Sequence, residues 1–201
     1  MKVKFCGLRS REDIEGLRHS CGDYAGFVFA KSKRRIEVEL AQELVASLPV
    51  GVIPAGVFQD QPLEEVAEIA GSVGLVVLQL HGREDGAYIQ VLQARTGLEV
   101  WKAFPCTEAG LESVRDTVAD KVLIDSAQGG GSGVQGDWAL LSRFQEGFPK
   151  PWFLAGGLTP MNLDEALAIL TPFGLDVSGG IETDGVKDQG KMQEFCRKAG
   201  K

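Results

Sequence analysis

Short apolar runs alternate along the chain with segments whose apolar residues recur every three or four positions. The runs predict strands at residues 3–6, 24–29, 51–58, 75–80, 99–104 and 121–125, a seventh ending at 154 and an eighth ending near 178. The segments between them predict helices, because residues three or four apart share one helix face. Val38, Ala41, Val45 and Leu48 show this spacing.

Several predicted helices have capping residues at their start. Ser10 with Asp13 three residues later forms a weak capping box, and Thr107 stands before the fifth helix. Thr159 followed by Pro160 predicts a seventh helix that starts at residue 160, because threonine is a good N-cap and proline a good first residue. The terminal helix is expected at about 188–198.

The chain thus divides into eight strand-then-helix units over its 201 residues. Regular alternation predicts a parallel sheet with helices outside, and eight units favour a closed (β/α)8 TIM barrel that forms a single domain over residues 1–201. The alternative is an open doubly wound sheet, which has fewer strands and commonly a glycine fingerprint after the first strand. Here the glycine turns follow strands six to eight instead, so we expect the barrel.

Glycine pairs follow the last two predicted strands, at Gly156-Gly157 and Gly179-Gly180. Glycine lets a ligand approach the backbone closely, and the loops after strands seven and eight of such barrels commonly hold phosphate. The two pairs therefore predict one phosphate site. The glycine-rich run at 129–133 has the amide density of an anion-binding loop, although a flexible connection or a lid explains it nearly as well.

Composition narrows the classes of partner. With 21 basic and 28 acidic residues the formal charge is −7, which argues against nucleic acid. A phosphorylated small molecule would need a local positive cluster, for which the basic run at 31–35 is a candidate. Four cysteines without a C-x-x-C pair and only two histidines argue against a zinc site, and no other metal site is expected. The absence of a signal peptide and of a long apolar run predicts a cytoplasmic protein with free thiols and no membrane segment.

In a barrel, the residues that end the strands converge on one mouth. Cys6 and Asp125 end strands one and six. A lone cysteine is most often a small buried hydrophobe, but nearby positive charge would make Cys6 a reactive thiolate. Asp125 fits a turn residue or an acid, and His81 fits a ligand contact or a histidine bonded to backbone. Cys21, Cys106 and Cys196 are expected to be structural.

The chain resembles the phosphoribosylanthranilate isomerase family over essentially its whole length, through a series of short motifs whose order and spacing match those of the family. They lie at residues 4–8, 26–29, 31–34, 56–58, 79–82, 125 with 130–133, 137–138, 154–158 and 176–182. The resemblance implies an Amadori rearrangement in tryptophan biosynthesis, with a small phosphorylated substrate and no metal or organic cofactor. It leaves open whether the protein is a monomer or a homodimer.

The resemblance also implies roles for individual residues. Asp125 would be the general acid at the ribose ring oxygen and Cys6 the general base at C2, while Arg34 would face the anthranilate carboxylate. The remaining expected substrate contacts are Gln79, His81, Gly156, Gly157, Asp176, Ser178, Gly179 and Gly180. The chain departs from the family pattern at Arg9, Gly136 and Gly179, which bears on affinity and loop order rather than on the acid and the base.

Two other functions remain open from the residues. Another sugar-phosphate barrel, such as an epimerase or a histidine-pathway isomerase, would share the phosphate site. The related bifunctional barrels would use two aspartates, however, and Cys6 speaks against them. A non-catalytic binding barrel is the third possibility, and the set of Cys6, Arg34 and Asp125 argues against it.

Overall fold

The computed structural model describes residues 1–127 and 135–201 and contains a closed barrel of eight parallel strands in chain order. This confirms the predicted (β/α)8 architecture over the open sheet. The strands are β1 (Lys2–Cys6), β2 (Tyr24–Val28), β3 (Ile53–Phe58), β4 (Val77–Leu80), β5 (Glu99–Pro105), β6 (Lys121–Asp125), β7 (Trp152–Leu154) and β8 (Gly174–Val177). The glycine-rich run at 129–133, with its expected role as anion site or lid, lies outside the described residues.

Eight α-helices surround the barrel in the described part of the chain. They are α1 (Arg11–Arg18), α2 (Val38–Ala46), α3 (Leu63–Val73), α4 (Gly86–Thr96), α5 (Glu108–Ser113), α6 (Trp138–Ser142), α7 (Leu163–Ile169) and α8 (Gln189–Lys198). The apolar faces of the helices and the outward side chains of the strands form the main core. Among the described residues, none of these helices is both long enough and apolar enough to cross a bilayer.

The capping predictions hold for two helices and are wrong for one. The Ser10 capping box with Asp13 is present, and the Thr107 hydroxyl accepts a hydrogen bond from the amide of Gly110. Helix α7, however, begins at Leu163 rather than at Pro160. The Thr159 hydroxyl instead accepts bonds from the amides of residues 161 and 162 at 3.2 and 3.3 Å, and this turn delays the helix.

An antiparallel hairpin that the sequence pattern did not predict lies between β8 and α8. It comprises β9 (Glu182–Thr183) and β10 (Val186–Lys187), joined through Asp184 and Gly185, both with positive φ. Its strands are only two residues long, too short for any periodicity. The hairpin brings Glu182 and Lys187 back to the C-terminal end of the barrel, where the predicted site lies.

Aromatic side chains fill the barrel interior. The ring of Trp101 stacks on Phe153 with centroids 4.5 Å apart and meets the edge of Tyr24 at 5.0 Å. These rings belong to an inner apolar cluster with alanine, valine and leucine side chains. A second, smaller cluster contains Cys6, Val28, Ala30 and Val57, which line the open end. The packed interior therefore forms the floor of a cavity at one end of the barrel.

A disulfide bond joins Cys21, in the loop after α1, to Cys196 in α8. Their Cα atoms are 5.6 Å apart, within the range that a disulfide spans. The expectation that all four thiols are free is therefore wrong for this pair. The reason is topological, since closing the barrel between β1 and β8 makes α1 and α8 neighbours. Cys6 and Cys106 are free and buried.

Candidate active site

A cavity of about 820 Å³ opens at the carboxyl ends of the barrel strands. Every residue predicted for the site from the sequence lines it, because parallel strands in a closed barrel end on the same face. These residues are Cys6, Arg34, Gln79, His81, Asp125, Gly156, Gly157, Asp176, Ser178, Gly179 and Gly180. The lining also includes Glu182, which sequence reasoning had not placed in the site.

Cys6 is the last residue of β1, and its thiol faces the cavity from a buried position. Burial raises the pKa of the Cys6 thiol, and the positive charge of Lys4 opposes that shift without cancelling it. The positive charge expected beside the thiol is thus present.

Lys4 precedes Cys6 by two positions on the same strand and is fully buried. Its ammonium lies 3.0 Å from Oδ1 of Asp176, which the register of β1 and β8 places opposite it. Burial lowers the pKa of Lys4, but Asp176 and Cys6 together more than offset this, so the pKa is raised and the lysine is charged. Alternation along a strand could have revealed Lys4, since residues two apart point to the same face.

Asp125 ends β6 and is held from two sides. The amide of Ser126 donates to Oδ1 at 2.7 Å, and Nε2 of His81 lies 3.1 Å from Oδ2. On the other side of the imidazole ring, Nδ1 of His81 is 3.3 Å from the amide nitrogen of Gln79. With Asp125 ionised, Gln79 donates to Nδ1 and His81 donates from Nε2, so Gln79 selects the imidazole tautomer that faces the carboxylate.

The side-chain oxygen of Gln79 is a buried acceptor without a hydrogen-bond partner among the described residues. Gln79 lines the cavity and is almost entirely inaccessible to solvent. An unpaired buried acceptor is costly, so it is suited to a ligand group that donates a hydrogen bond.

Arg34 forms a two-point ion pair with Glu182. Its Nε lies 2.7 Å from Oε1 and its Nη2 lies 2.9 Å from Oε2. Lys187 also donates to Oε1 at 2.8 Å. Burial alone would raise the pKa of Glu182, but these two cations lower it to about 2. The carboxylate binds the Nε and Nη2 edge of the guanidinium, and Nη1 lies outside this pair.

The two glycine turns touch each other. A β-carbon on Gly180 would lie 1.8 Å from the carbonyl oxygen of Leu158, so only glycine fits at that position. Gly156 and Gly157 have φ values of 80° and 67°, in the left-handed region that glycine adopts without strain. The turns after β7 and β8 therefore form one continuous backbone surface beside Arg34.

Comparison with known sequences gives a match over nearly the whole chain. Residues 3–198 match the sequence model of N-(5'-phosphoribosyl)anthranilate (PRA) isomerase. The chain is also 39% identical over 205 residues to the N-(5'-phosphoribosyl)anthranilate isomerase of Clostridium acetobutylicum, covering 100% of this chain and 98% of that protein.

Solved structures of the same kind are similar throughout. The phosphoribosyl anthranilate isomerase of Thermus thermophilus superposes with a TM-score of 0.89 at 35% identity, and a monomeric form of the dimeric enzyme of Thermotoga maritima with 0.87 at 33%. A phosphoribosyl anthranilate isomerase in complex with reduced 1-(o-carboxyphenylamino)-1-deoxyribulose 5-phosphate superposes with 0.86 at 32%. Each comparison covers 100% of this chain and 98% of the other.

Proposed function

Because the chain belongs to the N-(5'-phosphoribosyl)anthranilate isomerase family, isomerases of tryptophan biosynthesis, we propose that it uses Cys6 and Asp125 to catalyse this family's Amadori rearrangement. The reaction converts N-(5-phosphoribosyl)anthranilate to 1-(2-carboxyphenylamino)-1-deoxyribulose 5-phosphate. The observation that carries the proposal is that a thiol and a carboxyl group from β1 and β6 line one cavity with Arg34 and the two glycine turns.

Asp125 acts first, as the general acid. It donates a proton to the ribose ring oxygen, the bond from C1 to that oxygen breaks, and the anilino nitrogen forms an iminium with C1. The step starts from the protonated carboxyl group. Once its proton has left, the bonds from His81 and from the amide of Ser126 hold and stabilise the carboxylate, which supports this role. General acid catalysis requires a donor within hydrogen-bond reach of the leaving oxygen.

Cys6 acts second, as the general base. The iminium withdraws electrons from C2, so a base of modest strength can remove the C2 proton. The thiolate takes this proton and an enolamine forms. The enolamine then gains a proton from water at C1 and loses the C2 hydroxyl proton to water, which gives the ketone. Cys6 releases its proton to solvent and Asp125 regains one, which restores the starting state.

Substrate binding uses the rest of the lining. Arg34, oriented by Glu182, pairs with the anthranilate carboxylate, and the turns at 156–157 and 179–180 hold the phosphate. Gln79, His81, Asp176 and Ser178 contact the remainder of the substrate. The phosphate is remote from the bonds that change, yet its binding energy positions the reacting carbons.

We further propose that residues 1–201 act as one barrel domain in the cytoplasm, as a monomer or a homodimer. The Thermotoga maritima relative is described as dimeric. Because Cys21 and Cys196 form a disulfide, the cysteines no longer support a reducing compartment. The proposed cytoplasmic location therefore rests on the biosynthetic reaction.

The test is turnover of N-(5-phosphoribosyl)anthranilate by the purified protein, followed as loss of substrate fluorescence without added metal or cofactor. The histidine-pathway aminoaldose serves as the competing substrate. We expect turnover of the anthranilate compound. Turnover of the aminoaldose alone would indicate the histidine-pathway reaction, and binding of a reduced product analogue without turnover of either substrate would indicate a binding protein.

A further inference from the structure

A charged lysine is buried in the barrel wall beside the proposed base. Lys4 has no solvent-exposed surface, and it follows the alternation of β1 onto the same face as Cys6. A β-carbon on Gly26 would lie 2.9 Å from the sulfur of Cys6 and 3.0 Å from the nitrogen of Lys4. The thiol and the ammonium therefore border the same small space, which glycine at position 26 leaves open.

A buried ammonium is costly, and an apolar side chain of similar volume would often stabilise a barrel wall at least as well. Ion pairing with Asp176 compensates the charge of Lys4 but gives no reason for the pair to be there. The pair lies next to Cys6, the one thiol that lines the cavity among the described residues. If Lys4 takes part in the chemistry of the Cys6 thiol, that role explains why a charged residue is buried at position 4.

We propose that Lys4 is a positioning residue for Cys6: its ammonium stabilises the thiolate, and Asp176 holds the ammonium in place. The proposal rests on the proposed role of Cys6 as base. Before proton transfer the ammonium lies between two anions, the Asp176 carboxylate and the Cys6 thiolate. After Cys6 has taken the C2 proton, the ammonium stays paired with Asp176, so neither state leaves the lysine without a partner.

The other charged groups around Cys6 contribute less. Asp176 on β8 disfavours the thiolate. Lys187 on β10 favours it, but this lysine is bonded to Glu182, which also pairs with Arg34 from the loop after β2. After burial, which opposes ionisation, Lys4 has the largest influence on the pKa of Cys6, and it favours the thiolate. Without the charge of Lys4, burial and Asp176 would be opposed only by Lys187, whose charge is already paired with Glu182.

The test measures how fast iodoacetamide alkylates Cys6 as a function of pH, without substrate, by mass spectrometry of the Cys6 peptide. Lys4→Met removes the charge at similar length. We expect the midpoint of the alkylation profile to rise by about one pH unit or more. A profile identical to that of the unmodified protein would overturn the proposal.

A double variant, Lys4→Met with Asp176→Asn, separates the proposed role from a structural one. The double variant removes both charges of the buried pair, so neither is left without a partner. It therefore replaces Lys4→Met in the alkylation experiment if the single variant does not fold. We expect its midpoint also to lie above that of the unmodified protein. If Lys4 served only to neutralise Asp176, removing both charges would restore the original midpoint or lower it, and the proposal would fail.

Lys102 provides a matched control, since it is a buried lysine paired with Glu84 at 3.1 Å and does not line the cavity. Lys102→Met should leave the alkylation midpoint of Cys6 unchanged, and an equal shift there would contradict a specific role for Lys4. Alkylation needs no turnover, so it is independent of the proposed reaction. Full activity in Cys6→Ala would remove the base from the mechanism even if the alkylation shift were observed.

Discussion

Gly156 lies directly against Asp125. A β-carbon at position 156 would be 2.7 Å from Oδ1 of the aspartate and 2.5 Å from the amide nitrogen of Ser126. That amide donates to the same oxygen at 2.7 Å. The turn after β7, expected from the sequence to hold phosphate, thus also forms part of the wall that orients the proposed acid.

Gly156→Ala should therefore reduce kcat by displacing the Asp125 carboxyl group from its hydrogen bond. We expect a loss of about 10-fold or more, because small misplacements of a catalytic group are costly. Gly74→Ala is the control, since Gly74 has a similar φ of 77° but nothing within 4 Å of the added carbon. Gly74→Ala should lower stability by about 1 kcal/mol and leave kcat unchanged. Equal kcat values in both variants would contradict the role assigned to Gly156.

His81→Asn should lower kcat more than it changes KM, because loss of the imidazole releases the Asp125 carboxyl group as well as removing one substrate contact. We expect a loss of about 10- to 100-fold, below the loss expected from removing a general acid itself. Steady-state kinetics across pH would measure it. His19→Asn, at an exposed position directly after α1, should behave like the unmodified protein. If His81→Asn raised KM and left kcat unchanged, His81 would contribute to substrate binding only and would not orient the acid.

Glu182→Gln should raise KM more than it lowers kcat, because Arg34 loses the charged partner that fixes its orientation. Glu43→Gln is the matched control, since Glu43 pairs with Arg11 on the exposed surface, where an ion pair contributes little. Initial rates at a series of substrate concentrations would separate the two constants. An unchanged KM in Glu182→Gln would show that Arg34 is oriented without this pair.

The same carboxylate should make stability sensitive to acid. The pKa of Glu182 is about 2 in the folded protein and ordinarily 4.5, so its ion pairs stabilise the fold above pH 4.5. This contribution is lost as pH falls from about 5 to about 2. Urea unfolding at several pH values should show a steeper decline in this window for the unmodified protein than for Glu182→Gln. Parallel curves would contradict the assignment.

Breaking the disulfide should lower stability without affecting catalysis. Cys21 and Cys196 are separated by 175 residues in sequence, so the bond restricts nearly the whole unfolded chain. We expect Cys21→Ser with Cys196→Ser to lose about 2–4 kcal/mol of unfolding free energy, with kcat unchanged. Reductant should destabilise the unmodified protein and have no effect on the double variant. Equal sensitivity of both proteins would indicate that another thiol is responsible.

Most of the fold could be predicted from the sequence because local pattern and topology agree. Strands covered on both faces read as short apolar runs, and their regular alternation with helices leaves few architectures other than a closed barrel. The start of α7 could not be read from Thr159 and Pro160, because the threonine hydroxyl stabilises a turn as readily as a helix. The pairing of Cys21 with Cys196 depends on closure between β1 and β8, which sequence spacing does not encode.

The candidate site likewise contains residues that could be predicted from the sequence and residues that could not. The residues at strand ends were predictable since a barrel gathers them at one mouth, and all of those predicted line the cavity. Glu182 and Lys187 were missed as site residues because a short hairpin without periodicity returns them to that mouth. Alternation along β1 places Lys4 on the same face as Cys6, but its pairing with Asp176 depends on which strand lies next to β1.

The most direct measurement is a crystal structure of this protein with the reduced product analogue that a related isomerase binds. We expect the sulfur of Cys6 to lie within about 3.5 Å of C2 of the sugar chain, with the Asp125 carboxyl group on the other side near the oxygen that closed the ring. The phosphate should contact the turns at 156–157 and 179–180, and Arg34 the benzoate carboxylate. A complex in which Cys6 or Asp125 points away from the sugar would contradict it.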